Sequence, residues 1–481
     1  LDGNYPVGTN NVALGDTALD SLTSGTNNTA LGSASLTTTS SGSNNVAVGF
    51  NALTANTTAG YNVAFGTNTL AGNTTGSENA VFGGAAGLAN TTGTGLTGAG
   101  YTALRFNTTG NYNTALGDAA LYANTTASNN TAVGYQAGYG NTTGASNASL
   151  GKGSLYSNTT GNFNVAFGDT ALQANTTASS NTAVGFQAGY SHTTNGYLTA
   201  IGYKAGYTGN TDNAFVGYEA GYNSTGGSNT AMGSYRALYS NTSGSNNTAI
   251  GREALLSNTT ASNNTAVGYQ AGYSNVAAGA QVFVGYKAGY ATTTGGGSST
   301  FVGYEAGLSN TTGGNNTALG RGSFLDNTTG SNNVGLGFDA LANNTTASNN
   351  TAVGYQAVYT NTTGIANVGL GAYALQLNTT GNYNTALGYN AGNAITTGNY
   401  NIAIGANALD VSTTANSNIG IGINALGSTT TGAENVAMGL NALLTNTTGA
   451  SNVGIGTYAL NSNTTAAANT AVGYQALTTN T

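Results

Sequence analysis

Across 481 residues only 4% are charged, and the chain holds one proline, no cysteine, no tryptophan and 76 glycines. Ordinary domains carry about 25% charged residues, so Asn, Thr, Ser and Tyr must wet this surface, while the lack of cysteine excludes disulfides and thiolate metal sites. A formal net charge of −7 argues against nucleic acid or an anionic membrane surface as partner, and no apolar run approaches the ~20 residues of a membrane span.

The first ten residues read as a lead segment or small cap carrying the sole proline, Pro6. Leu1 opens without a basic and hydrophobic leader, so no secretion signal stands in the sequence. From Asn11 onward one glycine returns every seventeen residues: Gly15, Gly32, Gly49, Gly66 and Gly83, then Gly117, Gly134, Gly151, Gly168, Gly185 and Gly202, and later Gly320, Gly337, Gly354 and on to Gly473. About 28 copies leave no room for a separate globular domain. A short fixed period over a whole chain means one unit stacked on itself. The expected fold is all-β: a parallel β-solenoid forming an elongated rod, continuous from residue 11 to residue 481.

A representative coil runs from Asn113 to Asn129. Before the glycine the residues alternate, Thr114 and Leu116 to one side and Asn113, Ala115 and Gly117 to the other. The position before the glycine is apolar in coil after coil, as at Leu14, Leu31, Val48, Phe65, Val133, Leu150, Phe167 and Val184. Beyond the glycine comes a second short stretch with a small residue three places on (Ala18, Ala52, Ala103, Ala137), followed by Leu or Gly. Where it is Gly, as at Gly138 or Gly189, a tyrosine usually follows (Tyr139, Tyr190). N-T-T-G or N-T-T-A-S-N closes the coil with turn chemistry. The pattern predicts two short strands and two turns per coil.

One coil buries too few large apolar groups to offset the entropy of ordering it, so stability must come from stacking. Stacking sets like on like. Asn11, Asn28, Asn45, Asn62, Asn113, Asn130 and Asn147 would form an amide ladder, and Tyr135, Tyr203, Tyr269, Tyr355 and Tyr389 a partly aromatic column.

The motif N-T-A-V-G-Y-Q-A, at residues 130–137, 264–271, 350–357 and 469–476 and at 181–188 with Phe186 in place of tyrosine, resembles the head repeat of trimeric autotransporter adhesins of the YadA type. Similar asparagine-rich repeats occur in tail-fibre-like proteins. The resemblance implies a left-handed β-roll, commonly trimeric, serving as an extracellular adhesive head or a fibre shaft. Two departures stand out: the period of seventeen exceeds the adhesins' usual repeat, and the sequence shows no coiled-coil stalk, membrane anchor or chaperone domain. Two apolar columns face opposite ways, and a narrow roll hides only one. Either the smooth Ala/Gly face meets another chain, as in a trimer, or it packs inside a thin single-chain roll.

Residues 203–309 break the period, with steps of 15 at Gly217, 16 at Gly233 and 18 at Gly251 and Gly303. Phe215, Phe283 and Phe301 replace alanine there, and Lys204, Arg236, Arg252 and Lys287 gather nearby. These seven residues form a candidate binding patch; the competing reading is local repair of register with exposed ion pairs, worth ~0–1 kcal/mol each. Lys204 and Glu219 share one outward column, as do Lys287 and Glu305.

No catalytic, metal or cofactor constellation is present. His192, the sole histidine, stands where other coils have the Asn of N-T-T, and the acidic residues are scattered. The triplets at Asn56, Asn73, Asn90, Asn107, Asn124, Asn141, Asn158 and Asn175 match the N-glycosylation acceptor and fall in expected turns. N-T-T is equally a good turn that ladders well. The expected function is a non-catalytic extracellular or cell-surface fibre, structural or adhesive, with self-association as homotrimer or end-to-end filament and host-surface or matrix glycans as partners. The alternative is a phage tail-fibre shaft carrying a receptor-binding tip.

Overall fold

The computed structural model describes residues 8–209, 211–294 and 297–479; Pro6 and most of the lead segment lie outside the described residues. The protein is all-β. Among the described residues 28 short parallel strands form a β-solenoid of about 27 turns at a spacing of 17 residues, with no helix. Leu1–Arg236 and Ala237–Thr481 are two compact units, and the same coil builds both. In the first, Thr114–Leu116 lies parallel to Thr131–Val133 with Ala115 opposite Ala132 and Leu116 opposite Val133. In the second, Val334–Leu336 pairs the same way with Thr351–Val353.

Each coil contributes one strand rather than the two expected, and most strands are three residues long. The backbone explains the difference. After the strand, Gly117 turns to φ +139°, Ala119 to +55° and Leu121 to +49°, and Asn129 later takes +63°. Left-handed conformations two residues apart cannot propagate an extended strand. This stretch still bonds from coil to coil, with Leu121 N–H donating to Ala137 O and Ala123 N–H to Tyr139 O, both at 2.9 Å. The period-marking glycine is required on two grounds. At Gly134 φ is +132°, open only to glycine, and a Cβ there would stand 2.8 Å from the carbonyl carbon and oxygen of Gly151. A side chain would strain the turn and push the coils apart at once.

The core is made of small and amide side chains. Ala115, Ala120 and Leu121 are buried, and so are Asn113, Asn124 and Ala127. The alternation of the strand residues is as expected, and it settles which face is hidden. The alanine column lies inside, while the large apolar residue before the glycine faces out: Leu14 is 58% exposed, Phe65 55% and Leu150 47%. The Ala/Gly face is therefore unavailable to another chain. The narrow interior admits a methyl group at the strand centre but not a longer side chain, except where space opens elsewhere.

Space opens in the irregular section. Phe215, Phe283 and Phe301 occupy the strand-centre column and are fully buried, so they belong to the core and not to a surface patch. Room for them comes from glycine at the position that otherwise holds buried leucine. At Gly206, φ +54°, a Cβ would lie 2.8 Å from Phe215 Cδ2. The shortened steps are absorbed by longer strands, Ala214–Tyr218 and Thr230–Tyr235, which pair Val216 with Met232 but Tyr218 with Tyr235. One extra residue on the second strand makes a bulge.

Candidate interaction surface

Three adjoining columns make the outward surface of the strand side. The strand's first residue, mostly Thr or Val, is half-buried, and the third is Val, Leu, Ile, Phe or Met in nearly every coil. None of the 28 strands contains a charged residue. The residue after the glycine is often aromatic and exposed, as at Phe50, Tyr101, Tyr135, Phe186, Tyr355 and Tyr389. The third strand residues thus form an apolar stripe, bordered by Thr on one side and by aromatic residues with scattered charges (Asp16, Asp118, Lys152, Asp169, Arg252, Arg321) on the other; a repeated exposed stripe of this kind marks a candidate interaction site.

Tyrosines stack at three positions of the coil, the third being twelve places after the glycine at Tyr383 and Tyr400. The first follows the glycine, directly at Phe186, Tyr203 and Tyr218 and one residue later, past the bulge, at Tyr235; these rings lie 5.0–5.3 Å apart between centroids with planes within 14°. The second lies five places after the glycine and includes Tyr122, Tyr139 and Tyr156, and Tyr190, Tyr207 and Tyr222. The coil-to-coil register holds the rings together, and each offset stack adds about 0.5–1.5 kcal/mol. Desolvation, then the neighbouring phenols, push Tyr139, Tyr207 and Tyr273 above the ordinary tyrosine range. The first ladder was legible in the sequence as an aromatic column. The second shows there only as tyrosines recurring five residues after the glycine in successive coils.

The cations of the expected patch sit on these rings. Lys204 Nζ lies 5.3 Å from the centre of Tyr203 and 5.8 Å from that of Tyr207; Lys287 Nζ stands likewise over Tyr286 and Tyr290. Arg236 covers Tyr235, Arg252 covers Tyr269, and Arg321 covers Tyr304 and Phe338. Such contacts contribute about 0.5–1 kcal/mol at exposed sites. Glu219 pairs with Arg236 at 2.7 Å rather than with Lys204 of the same column. The structure thus divides the seven patch residues: four cations lie outside on aromatic rings, and three phenylalanines lie in the core.

The asparagines of the N-T-T triplets lie inside. Asn56, Asn73, Asn90, Asn107, Asn124, Asn141, Asn158 and Asn175 are all buried. From Asn73 to Asn175 each Nδ2 donates to Oδ1 of the preceding asparagine at 2.7–3.0 Å. Each also donates to the carbonyl three residues on, as Asn124 does to Ala127 O at 3.1 Å. Both Nδ2 hydrogens are committed, and the folded chain gives a glycan no access to that atom. The first threonine of the triplet hooks the next coil, Thr125 Oγ1 donating to Thr142 O at 3.0 Å. The asparagines before the strand make a different ladder, in which Asn113 Oδ1 accepts from the backbone N–H of Asn130 at 2.9 Å.

His192 takes one place in the N-T-T ladder and is buried, its Nε2 against the carbonyl of Asn195. Asn175 Oδ1, which a following asparagine would have donated to, has no hydrogen-bond partner. Burial pushes His192 below the usual imidazole range, outweighing the Asn195 carbonyl that favours the charged ring. The cavity beneath Gly138, walled by Leu121, Leu155, Asn141 and Ser149, holds about 10 Å³, room for one water. Among the described residues no group of three or more His, Cys, Asp or Glu could hold a metal ion, and no helix is long and apolar enough to cross a membrane. No protein-family model matches the chain, and no curated protein is detectably similar to it.

Proposed function

We propose that the chain is a non-catalytic extracellular fibre element, structural or adhesive, that works through its repeated outer surface. The observation that supports this is the uncharged strand face with its large apolar residues exposed coil after coil. Water against such a face is costly, and a second copy of the chain offers a matching surface at the same coil spacing. Self-association as a homotrimer covers the apolar columns, whereas growth into an end-to-end filament joins terminal coils and leaves those columns facing out. The tyrosine edges with their Asn and Thr neighbours then remain for glycans of a host surface or matrix. Phenol hydroxyls and amides provide hydrogen bonds for sugar hydroxyls without requiring charge. The resemblance of N-T-A-V-G-Y-Q-A to adhesin head repeats points to the same compartment, the cell surface.

A virion tail-fibre shaft is the second reading, favoured by the sameness of the coils: the outer columns keep one chemistry in both units and single out no binding coil. Retention of labelled chain on immobilised neutral and acidic polysaccharides separates the two. The adhesive reading expects saturable retention that weakens when Tyr203, Tyr218 and Tyr286 are changed to Ser. The shaft reading expects no retention by a chain that is nonetheless multimeric. A single-chain molecule with no retention on any surface contradicts both.

A further inference from the structure

We propose that the stacked tyrosines are sites of oxidative cross-linking, at which neighbouring coils become joined by a carbon–carbon bond between the rings of register-matched residues. Tyr122, Tyr139 and Tyr156 are the clearest case. Their centroids are 4.8 and 5.0 Å apart and their planes 3° and 5° from parallel. All three rings are half-buried on the surface, within reach of solvent. The backbone fixes the alignment, since Ala123 N–H donates to Tyr139 O at 2.9 Å and Gly140 N–H to Tyr156 O at 2.8 Å. Tyr383 and Tyr400 repeat the geometry in the second unit, at 5.1 Å and 2°.

Composition concentrates the chemistry on these rings. With no Cys, no Trp and 29 Tyr, one-electron oxidation has no more easily oxidised side chain to end on. The two methionines take up oxygen atoms instead. The co-reactant is hydrogen peroxide acting through a haem peroxidase. Each of two phenols loses one electron and its hydroxyl proton, giving two phenoxyl radicals. The radicals couple through the ring carbons ortho to oxygen. The hydrogen on each coupled carbon then moves to its phenolic oxygen, restoring both aromatic rings. The pair has lost two electrons and two protons, which reduce one peroxide to two waters. In an aligned ladder the partner radical is the next ring, so diffusion between molecules is not needed. Each link closes a covalent loop across one coil and ties together two turns otherwise held by hydrogen bonds and packing. This inference does not depend on the fibre reading.

The test mixes isotopically heavy and light full-length chains in dilute solution, treats them with a haem peroxidase and peroxide, and maps linked peptides by mass spectrometry. Tyr122–Tyr139 and Tyr139–Tyr156 links are expected, each lacking two hydrogens and each joining peptides of one isotopic label. Tyr139→Phe should abolish both while leaving the Tyr383–Tyr400 link at full yield, an internal control for folding. The proposal is overturned if the links are mixed-label and centred on the most exposed tyrosines, such as Tyr197 and Tyr474. It is equally overturned if Tyr122 couples to Tyr156 undiminished in Tyr139→Phe, or if no dityrosine forms while peroxide is consumed.

Discussion

Asn124 shows how much one side chain carries in this fold. It donates to Asn107 Oδ1 at 2.7 Å and to Ala127 O at 3.1 Å, and it accepts from Asn141 Nδ2 at 2.8 Å. Asn124→Ala strands a buried donor of Asn141 above and leaves Asn107 Oδ1 below with only the long 3.5 Å bond from Asn113 Nδ2, at about 1–3 kcal/mol each. Denaturant unfolding should show a loss of at least about 2 kcal/mol, whereas Asn129→Ala, at an exposed left-handed turn position, should cost less. Nothing in the residue pattern marks this asparagine as interior, because N-T-T has the chemistry of an exposed turn. Its inward direction is fixed by the left-handed residues around it, which local composition does not reveal. His192, in the same column, supplies a pH dependence. Its folded-state pKa lies below the ordinary 6.5, so the fold disfavours the charged ring. Its stability contribution is complete above that ordinary value and falls away as the pH drops through it toward the folded pKa. Hydrogen-exchange protection factors, corrected for the intrinsic pH dependence of amide exchange, should fall below pH ~6 in residues 185–209 while those around Asn124 hold steady; uniform behaviour of the two coils would remove His192 as the cause.

At the level of the coil, the strand-centre column and the position four places after the glycine share one interior volume. Ala with Leu is the common solution, as at Ala115 and Leu121, and Phe with Gly the rarer one, as at Phe283 with Gly272 and Gly289. Phe283→Ala therefore empties a site flanked by Gly272 and Gly289, with only Leu255, one coil before Gly272, close by, and should cost about 3–5 kcal/mol. Phe283→Ala with Gly272→Leu is no full rescue, since leucine must then take a left-handed backbone at φ +60°, although Leu121 shows that the fold tolerates this at +49°. Calorimetric or denaturant unfolding of both variants measures the difference. The solenoid, its period and the alternation of the strand were legible in the glycine and apolar columns. Which face was hidden was not, because both columns are apolar and only interior width decides between methyl and leucine. The second expected strand fails for a related reason: Asp118–Tyr122 is a short, mostly apolar stretch between turns, as a strand would be, but its backbone turns left-handed at Ala119 and Leu121.

At the scale of the whole molecule, an inside of Ala, Leu and Asn leaves large apolar residues outside, and under the proposed function copies of the chain cover them. Replacing Leu116, Leu150 and Phe167 with Lys puts three charges on outward positions of the strand face without entering the core. The stack itself should keep its unfolding free energy to within about 1.5 kcal/mol, at about 0.5 kcal/mol for each surface change. The most direct measurement is the molar mass of the full chain by light scattering behind a sizing column, for the natural sequence and for this triple variant. Lateral association predicts a multiple of 47.2 kDa for the first, threefold for a trimer, and a shift toward the single-chain mass for the second; a mass that grows with concentration in both alike is end-to-end addition, which leaves the face uncovered. A single-chain mass for the natural sequence at every concentration would contradict lateral association.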